Sequence, residues 1–311
     1  MSVLTDEFKN VWTKPNNGLM QIIVINLSVF VVINLLYVGL AVSGEREVYG
    51  TIAQFIYIPA PIEKFLWRPW TLITYFFTHQ NPLHILFNMW VMYSFGLIVK
   101  DFLGNTKVIA LYLFGGIAGG IAYLICFNTI PYFIALTPEL GMLGASACVY
   151  AIVVAAATYK PDLEMNLLFF GSVKIVYIAI GVIILSFIGV GSSSSNAGAG
   201  GNLAHLGGAL IGYIFIKQYE RGIDWSVPVA TFMNMLTRLF SKQGGSRASS
   251  PSSKSKGNVG KTSSSKSKGT TSPANPSQDD IDMILDKISA HGYDSLTTEE
   301  KQILFKASQK K

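Results

Sequence analysis

Charge is scarce in this chain. Lys, Arg, Asp and Glu make up 14 % of its 311 residues, against 50 % hydrophobic residues. A soluble globular domain carries about a quarter charged residues, so that class is excluded. The charge present leans positive, with 24 basic and 18 acidic residues for a net +6. It is also unevenly placed: residues 19–215 hold almost none in their long apolar runs, while residues 241–311 are crowded with it. Cysteine is nearly absent. Cys126 and Cys148 both fall inside apolar runs and build neither a disulfide framework nor a metal site, so no metal or cofactor is expected. A small-residue cleavage site after the first apolar run is lacking too, which argues against a removable signal peptide. Acidic residues are missing from the apolar runs and no internal repeat is evident, against the reading of a small transporter. Nucleic acid is not an expected partner.

What the chain has is six apolar segments. They are Leu19–Val42, Leu83–Val99, Val108–Phe127, a short one from Ser146 to Thr158, Val173–Val190 and Leu203–Lys217. The first is long enough to cross a hydrocarbon core of about 30 Å. Lys174 sits at the end of the fifth, where it can snorkel. The expected fold is an all-α membrane protein with six transmembrane helices. Lys9, Lys14, Lys100, Lys107 and Lys160 lie in alternate connections, and ten basic residues against two acidic ones follow between Lys217 and Lys268. The positive-inside rule then puts both termini in the cytoplasm, with Arg46, Lys64 and Arg68 in the first connection counting against it.

That first connection, Ser43 to Pro82, is too apolar for a solvated loop and too interrupted for a span. Its aromatic residues and Arg68 suit the headgroup level, and a partly inserted interfacial segment on the external face is expected. The domain reading is residues 1–18 as a cytoplasmic segment, 19–220 as the membrane core, 221–277 as a Ser/Lys/Gly-rich linker and 278–311 as a small helical hairpin. In the hairpin Asp279 or Asp280 caps one helix, Gly292 ends it, and Thr297 with Glu300 forms a capping box for a second.

Two residues in the core carry chemistry. Ser146 stands in Gly144-Ala145-Ser146-Ala147 at the mouth of the fourth segment, and His205 opens the sixth. Ionisable groups inside spans are costly and mark function by default. A helix of thirteen residues rises about 20 Å, so a fourth span ending at the cytoplasmic face starts about 10 Å below the external surface. The preceding loop must descend into a protein-walled or water-filled cavity. Small residues at Gly208 and Gly212, and at Ala147, Ala151 and Ala155, let the two helices approach closely and bring His205 to Ser146. No acidic third member stands near His205, so a Ser–His dyad is the economical reading. Tyr150, one turn after Ser146, is placed to pack on the imidazole. His84 and Asn88, four residues apart on the second segment, offer donors for an oxyanion. Gly144 lets a substrate backbone approach.

Across residues 15–220 the chain resembles the rhomboid intramembrane serine proteases. The resemblance rests on Trp67-Arg68, His84-Ile85-Leu86-Phe87-Asn88, Gly144-Ala145-Ser146-Ala147 with Tyr150, and Ala204-His205 with Gly208 and Gly212. It implies a six-helix bundle, Ser146 as nucleophile, His205 as base, and an oxyanion hole from the Ser146 N–H with His84 and Asn88. It implies a structural role for His79. It also implies single-span membrane proteins as substrates, lipid as surroundings, and, for the tail, an accessory domain of the kind appended to some bacterial rhomboids, hence a bacterial inner membrane. A catalytically inactive relative that escorts transmembrane clients is the alternative. The chain departs from the family at Ala147, where glycine is usual; one added methyl beside the serine is enough to narrow the cleft. It departs again at Lys100, before Leu103-Gly104, where many members carry glutamate.

Overall fold

The computed structural model describes residues 11–12, 17–137, 141–167, 171–192, 196–240 and 278–291, with 296–297, 300 and 304 beyond them. It forms two compact units, Met1–Gly244 and Gly245–Lys311. In the first, six apolar helices appear where the six apolar segments were drawn: α1 (Gly18–Val42), α5 (Pro82–Leu103), α6 (Asn105–Thr129), α8 (Ser146–Tyr159), α9 (Ile175–Ser192) and α10 (Asn196–Glu220). Between α1 and α5 lie the shorter α2 (Arg46–Ala53), α3 (Ile62–Trp67) and α4 (Thr71–Thr74), and α7 (Pro131–Ile134) follows α6. Four helices (α1, α5, α6 and α10) are long and apolar enough to cross a membrane, while α8 and α9 are shorter. The protein is an integral membrane protein.

Helix α8 sits at the centre. Every residue from Ala147 to Ala157 is buried except Tyr150, which is half-buried. Its flanks are closed by backbone-to-backbone approach. A β-carbon added at Gly208 would overlap the carbonyl oxygen of Ala147, and one at Gly212 that of Ala151. On the other side, β-carbons at Gly115 and Gly119 of α6 would come within 2.6 Å of the Ala151 methyl and 2.5 Å of the Ala147 methyl. Such packing gains dispersion contacts that lipid cannot supply to a bulkier seam. It also explains why fourteen residues suffice here: a helix walled by protein need not span the hydrocarbon. Large apolar side chains point outward instead from α1, α5 and α9, as at Leu35, Leu86 and Phe187, where lipid is their partner.

The ends of these helices are set locally. The Asn81 side chain accepts from the N–H groups of Leu83 and His84 at 2.8 and 3.2 Å, with Pro82 in the first turn, so α5 starts at a fixed residue as an N-cap requires. Gly104, at φ +90°, lets the chain turn directly from α5 into α6. Asn105 then accepts from Leu19 N–H at 3.1 Å, capping α1 from a distant part of the chain.

Three expectations need correction. The sixth helix begins at Asn196 rather than Leu203, so His205 lies nine residues inside it and not at its opening. Gly198, Gly200 and Gly201 give that stretch little apolar signal, yet close packing forms it: a β-carbon at Gly200 would lie 2.7 Å from the Tyr123 ring. Tertiary contact overrides poor helix propensity there. Val173 and Lys174 are not the start of the fifth helix. They belong to strand β2 (Gly171–Lys174), which pairs antiparallel with β1 (Glu164–Leu167), and Lys174 forms an ion pair with Asp162 at 2.7 Å. Finally, residues 227–240, part of the expected linker, form helix α11 (Val227–Phe240). Its entry is pinned by Asp224, which pairs with Lys107 at 2.9 Å and accepts from Ser226 N and Oγ. Burial works to raise the Asp224 carboxyl, but the hydrogen bonds from Ser226 and Lys107 outweigh it and hold it below the usual value.

The interfacial connection is tied together by its polar atoms. Arg68 Nη1 donates to Gln54 O at 2.9 Å while its guanidinium lies over the Phe55 ring, 4.4 Å from the centroid. Trp70 Nε1 donates to Phe55 O, and Trp67 stands 84 % exposed. In the second unit α12 (Gln278–His291) begins one residue before the expected cap Asp279, and Gly292 with residues 241–277 lies outside the described residues. The Thr297–Glu300 box is present in both directions, with Thr297 N–H donating to Glu300 and Glu300 N–H to Thr297 Oγ1.

Gly212→Ala is expected to destabilise the protein, because the new methyl meets the Ala151 carbonyl and two helices must part. Overpacking of this kind costs about 1–3 kcal/mol. Gly181→Ala on α9, where an added β-carbon meets nothing within 4 Å, should leave the thermal midpoint in detergent unchanged or raised. Equal midpoints for the two variants would contradict the close seam between α8 and α10.

Candidate active site

The loop entering α8 is held from three sides. Met142 and Ile58 exchange backbone hydrogen bonds at 3.0 and 3.1 Å, Gly144 N–H donates to Tyr75 O at 2.9 Å, and Ala145 N–H donates to His79 Nε2 at 3.2 Å. His79 is fully buried, and as the acceptor for this loop it has the structural placing expected of it. Tyr75 and Phe76, in a short 3-10 turn of the first connection, back this loop: Tyr75 Oη donates to Gly116 O at 2.6 Å and Tyr112 Oη to Phe76 O at 2.8 Å. Non-helical backbone at this depth survives because protein supplies its partners.

Gly144 has φ +122°, and a β-carbon there would lie 2.8 Å from Cε1 of His84. The position therefore needs glycine twice over, for its conformation and for the imidazole stacked against it. Ala145 then leads into α8 without any side-chain cap, so the first-turn N–H groups at Ser146 are left without intrahelical acceptors.

At this point Ser146 and His205 meet. His205 Nε2 lies 2.7 Å from Ser146 Oγ. The Tyr150 ring stacks on the imidazole, with centroids 4.3 Å apart and planes 10° from parallel. Two cavities converge on the pair. One of about 440 Å³ is lined by Gln80, Asn81, His84, Met142, Gly198, Gly201 and Asn202 together with Ser146 and His205. Gly198, Gly201 and Asn202 stand one and two turns before His205 on α10, on its own face, so the Gly-rich start of that helix forms the cleft wall. The other, about 280 Å³, runs between α5, α8 and α9 and is lined by His84, Phe87, Asn88, Val91, Ser146, Tyr150, Val182 and His205.

His84 thus reaches both cavities that hold Ser146, and Asn88 the smaller one. Asn88 Nδ2 donates one hydrogen to His84 O at 2.9 Å; an amide nitrogen carries two. Gly208 has its place at the crossing of α8 and α10, against Ala147. Ala147 itself does not narrow the cleft. It is 1 % exposed, and its methyl faces Gly119 of α6 rather than either cavity.

One polar residue of the site was not singled out from the sequence. Ser186 on α9 is 2 % exposed and lies with its Oγ 3.1 Å from His205 Nδ1 and 2.9 Å from Tyr150 Oη. The signal available was a lone serine in the middle of the most apolar of the later segments. Among the described residues no cluster of His, Cys, Asp and Glu could hold a metal ion.

Comparison with known proteins agrees with this architecture. Residues 66–219 match the Rhomboid domain, and residues 274–310 match a family of unknown function, DUF6576. The presenilin-associated rhomboid-like protein, mitochondrial, of Bos taurus is 27 % identical over 229 residues, covering 66 % of this chain and 57 % of that one. The presenilin-associated rhomboid-like protein A, mitochondrial, of Danio rerio is 24 % identical over 241 residues, covering 71 % and 58 %. RHOMBOID-like protein 12, mitochondrial, of Arabidopsis thaliana is 30 % identical over 164 residues, covering 49 % and 47 %. The chain spans about half the length of the curated relatives it matches, and their mitochondrial names lend no support to the bacterial membrane expected from the tail. On the bundle, the motif residues and the domain match at residues 66–219, the chain belongs to the rhomboid family.

Proposed function

We propose that this protein is an intramembrane serine endopeptidase that hydrolyses a peptide bond in or next to a transmembrane segment of a membrane protein. The observation that carries the reading is the 2.7 Å approach of His205 Nε2 to Ser146 Oγ at the meeting of two cavities. That distance is within direct proton-transfer range, and no other described serine has such a partner opening onto a cleft.

In this mechanism Ser146 Oγ attacks the scissile carbonyl carbon as its proton passes to His205 Nε2. The carbonyl oxygen becomes an oxyanion, received by the Ser146 N–H and by donors of His84 and Asn88. Collapse breaks the C–N bond, and His205 returns the proton to the departing amine. Water, drawn from the cavity, then attacks the ester on Ser146 while His205 takes its proton. Collapse breaks the ester C–O bond, His205 returns that proton to Ser146 Oγ, and the acid is released. The uncapped start of α8 favours the oxyanion through its free N–H groups and partial positive charge. Small Gly144 leaves room for the substrate backbone. Exposure of apolar helix faces to lipid fits substrates that arrive within the membrane, single-span proteins above all. The proposed arrangement places both termini in the cytoplasm, with residues 19–220 as the protease core and 278–311 as an accessory hairpin.

Ser146→Ala and His205→Ala are each expected to abolish cleavage of a transmembrane substrate by purified, folded protein, because nucleophile and base act as a unit. Substantial turnover by Ser146→Ala would refute the dyad. Loss of one oxyanion donor costs on the order of 10²–10³ in rate, so His84→Ala or Asn88→Ala should lower kcat steeply; parental rates in both would move the oxyanion hole elsewhere. Gly144→Ala should act like His84→Ala, since its methyl evicts the imidazole. A chain ended after Phe240 should cleave the same substrate in matched detergent at the full-length rate, and a folded but inactive truncation would make the terminal hairpin part of the machinery.

A further inference from the structure

We propose that Ser186 is a positioning residue for His205, the uncharged third member of a chain that fixes the tautomer of the imidazole. The inference rests on the reading of Ser146 and His205 as nucleophile and base. A serine–histidine pair works only if the nitrogen facing the serine is the unprotonated one, so something must hold the ring proton on the other nitrogen. Among the described residues no carboxylate stands at Nδ1; Ser186 Oγ does, at 3.1 Å.

A hydroxyl can donate as well as accept, so Ser186 alone would leave the tautomer undecided. Its neighbours decide it. Ser186 Oγ donates to Tyr150 Oη at 2.9 Å, and Tyr150 Oη donates to the Val182 carbonyl at 3.3 Å. The carbonyl can only accept. The direction therefore runs backwards from it: Tyr150 spends its proton on Val182, Ser186 spends its own on Tyr150, and the Ser186 oxygen is left as an acceptor for Nδ1–H of His205. That leaves Nε2 with its lone pair towards Ser146. When Nε2 takes the Ser146 proton, the Nδ1–H bond to Ser186 needs no rearrangement, and the new imidazolium keeps an oxygen acceptor. Val182, one turn before Ser186 on α9, and Tyr150 on α8 make the device intrinsic to the packing of those two helices against α10. Tyr150 thus serves with its ring against the imidazole and with its hydroxyl through Ser186.

The test uses full-length protein in detergent, a fluorophosphonate probe and one transmembrane substrate, with ¹⁵N-labelled histidine to read the His205 ring nitrogens. Labelling of the parent and not of Ser146→Ala establishes the underlying reading. Failure there refutes the protease reading, while the nitrogen spectrum of the resting protein still reports whether Nδ1 carries the proton. Ser186→Ala is expected to lower kcat about tenfold, the worth of one neutral hydrogen bond, at a KM within about twofold of the parent. Its His205 spectrum should show mixed tautomers, and Ser186→Thr, which keeps the oxygen, should recover most of both. A parental kcat and spectrum in Ser186→Ala would overturn the proposal, as would equal losses in the alanine and threonine variants at matched thermal midpoints. Should Ser186→Ala fail to fold, Tyr150→Phe carries the same question. It keeps the ring and frees the Ser186 proton to turn to Nδ1, so an unchanged tautomer there overturns the proposal too.

Discussion

The close approach of three backbones around Ser146–Tyr159 is the constraint on which the rest of the molecule depends. Gly208 and Gly212 on one side, and Gly115 and Gly119 on the other, leave no room for a β-carbon against Ala147, Cys148 or Ala151. This fixes the relative height of α8 and α10 to within a residue, since a slip would bring bulkier side chains into the seam. The 2.7 Å contact of His205 with Ser146 follows from that register. So does the cavity at Ser146, because a helix walled by protein on all sides can begin short of its neighbours and leave space at its N-terminus.

That space is costly to line. A polar group in a low-dielectric interior must find a partner or lose several kcal/mol, and the bundle answers with long-range bonds from a few tyrosines and asparagines. Tyr75 and Tyr112 tie the first connection to α6; Asn26 donates to Tyr112 at 2.9 Å; Asn128 Nδ2 reaches Ala60 O at 2.8 Å. Their effect is to give the connection that backs the Gly144 loop fixed partners on α6. The geometry around Gly144 then owes little to the loop's own conformational preferences.

Much of this was legible in the sequence, and for a physical reason. Helix-helix contact in lipid is carried by small residues at four-residue spacing, so the stripes Gly208–Gly212 and Ala147–Ala151–Ala155 announced which helices touch, and the contacts pair Gly208 with Ala147 and Gly212 with Ala151. The short fourth segment likewise implied a descending loop. What escaped was of two kinds. Helix α11 is amphipathic and follows the last span, so hydropathy alone assigned it to a linker. The fate of the Ala147 methyl and the place of Ser186 depend on side-chain direction across three helices, which no pattern along one segment contains.

The late start assigned to α10 is the more instructive miss. Hydropathy finds a span by its apolar length, but the wall of a water-accessible cleft inside a bilayer cannot be apolar throughout. Gly198, Gly201 and Asn202 line the larger cavity, one and two turns before His205, and their low hydrophobicity is what hid them. The same argument applies to Ser186, an isolated polar residue in an otherwise apolar helix, which is buried against His205 and where a leucine would leave Nδ1 without that partner. In both places the sequence breaks the local rule for a membrane span at positions that face Ser146 or His205. The breaks are consistent with one another, since each lies against the same two residues and fits the proposed chemistry there.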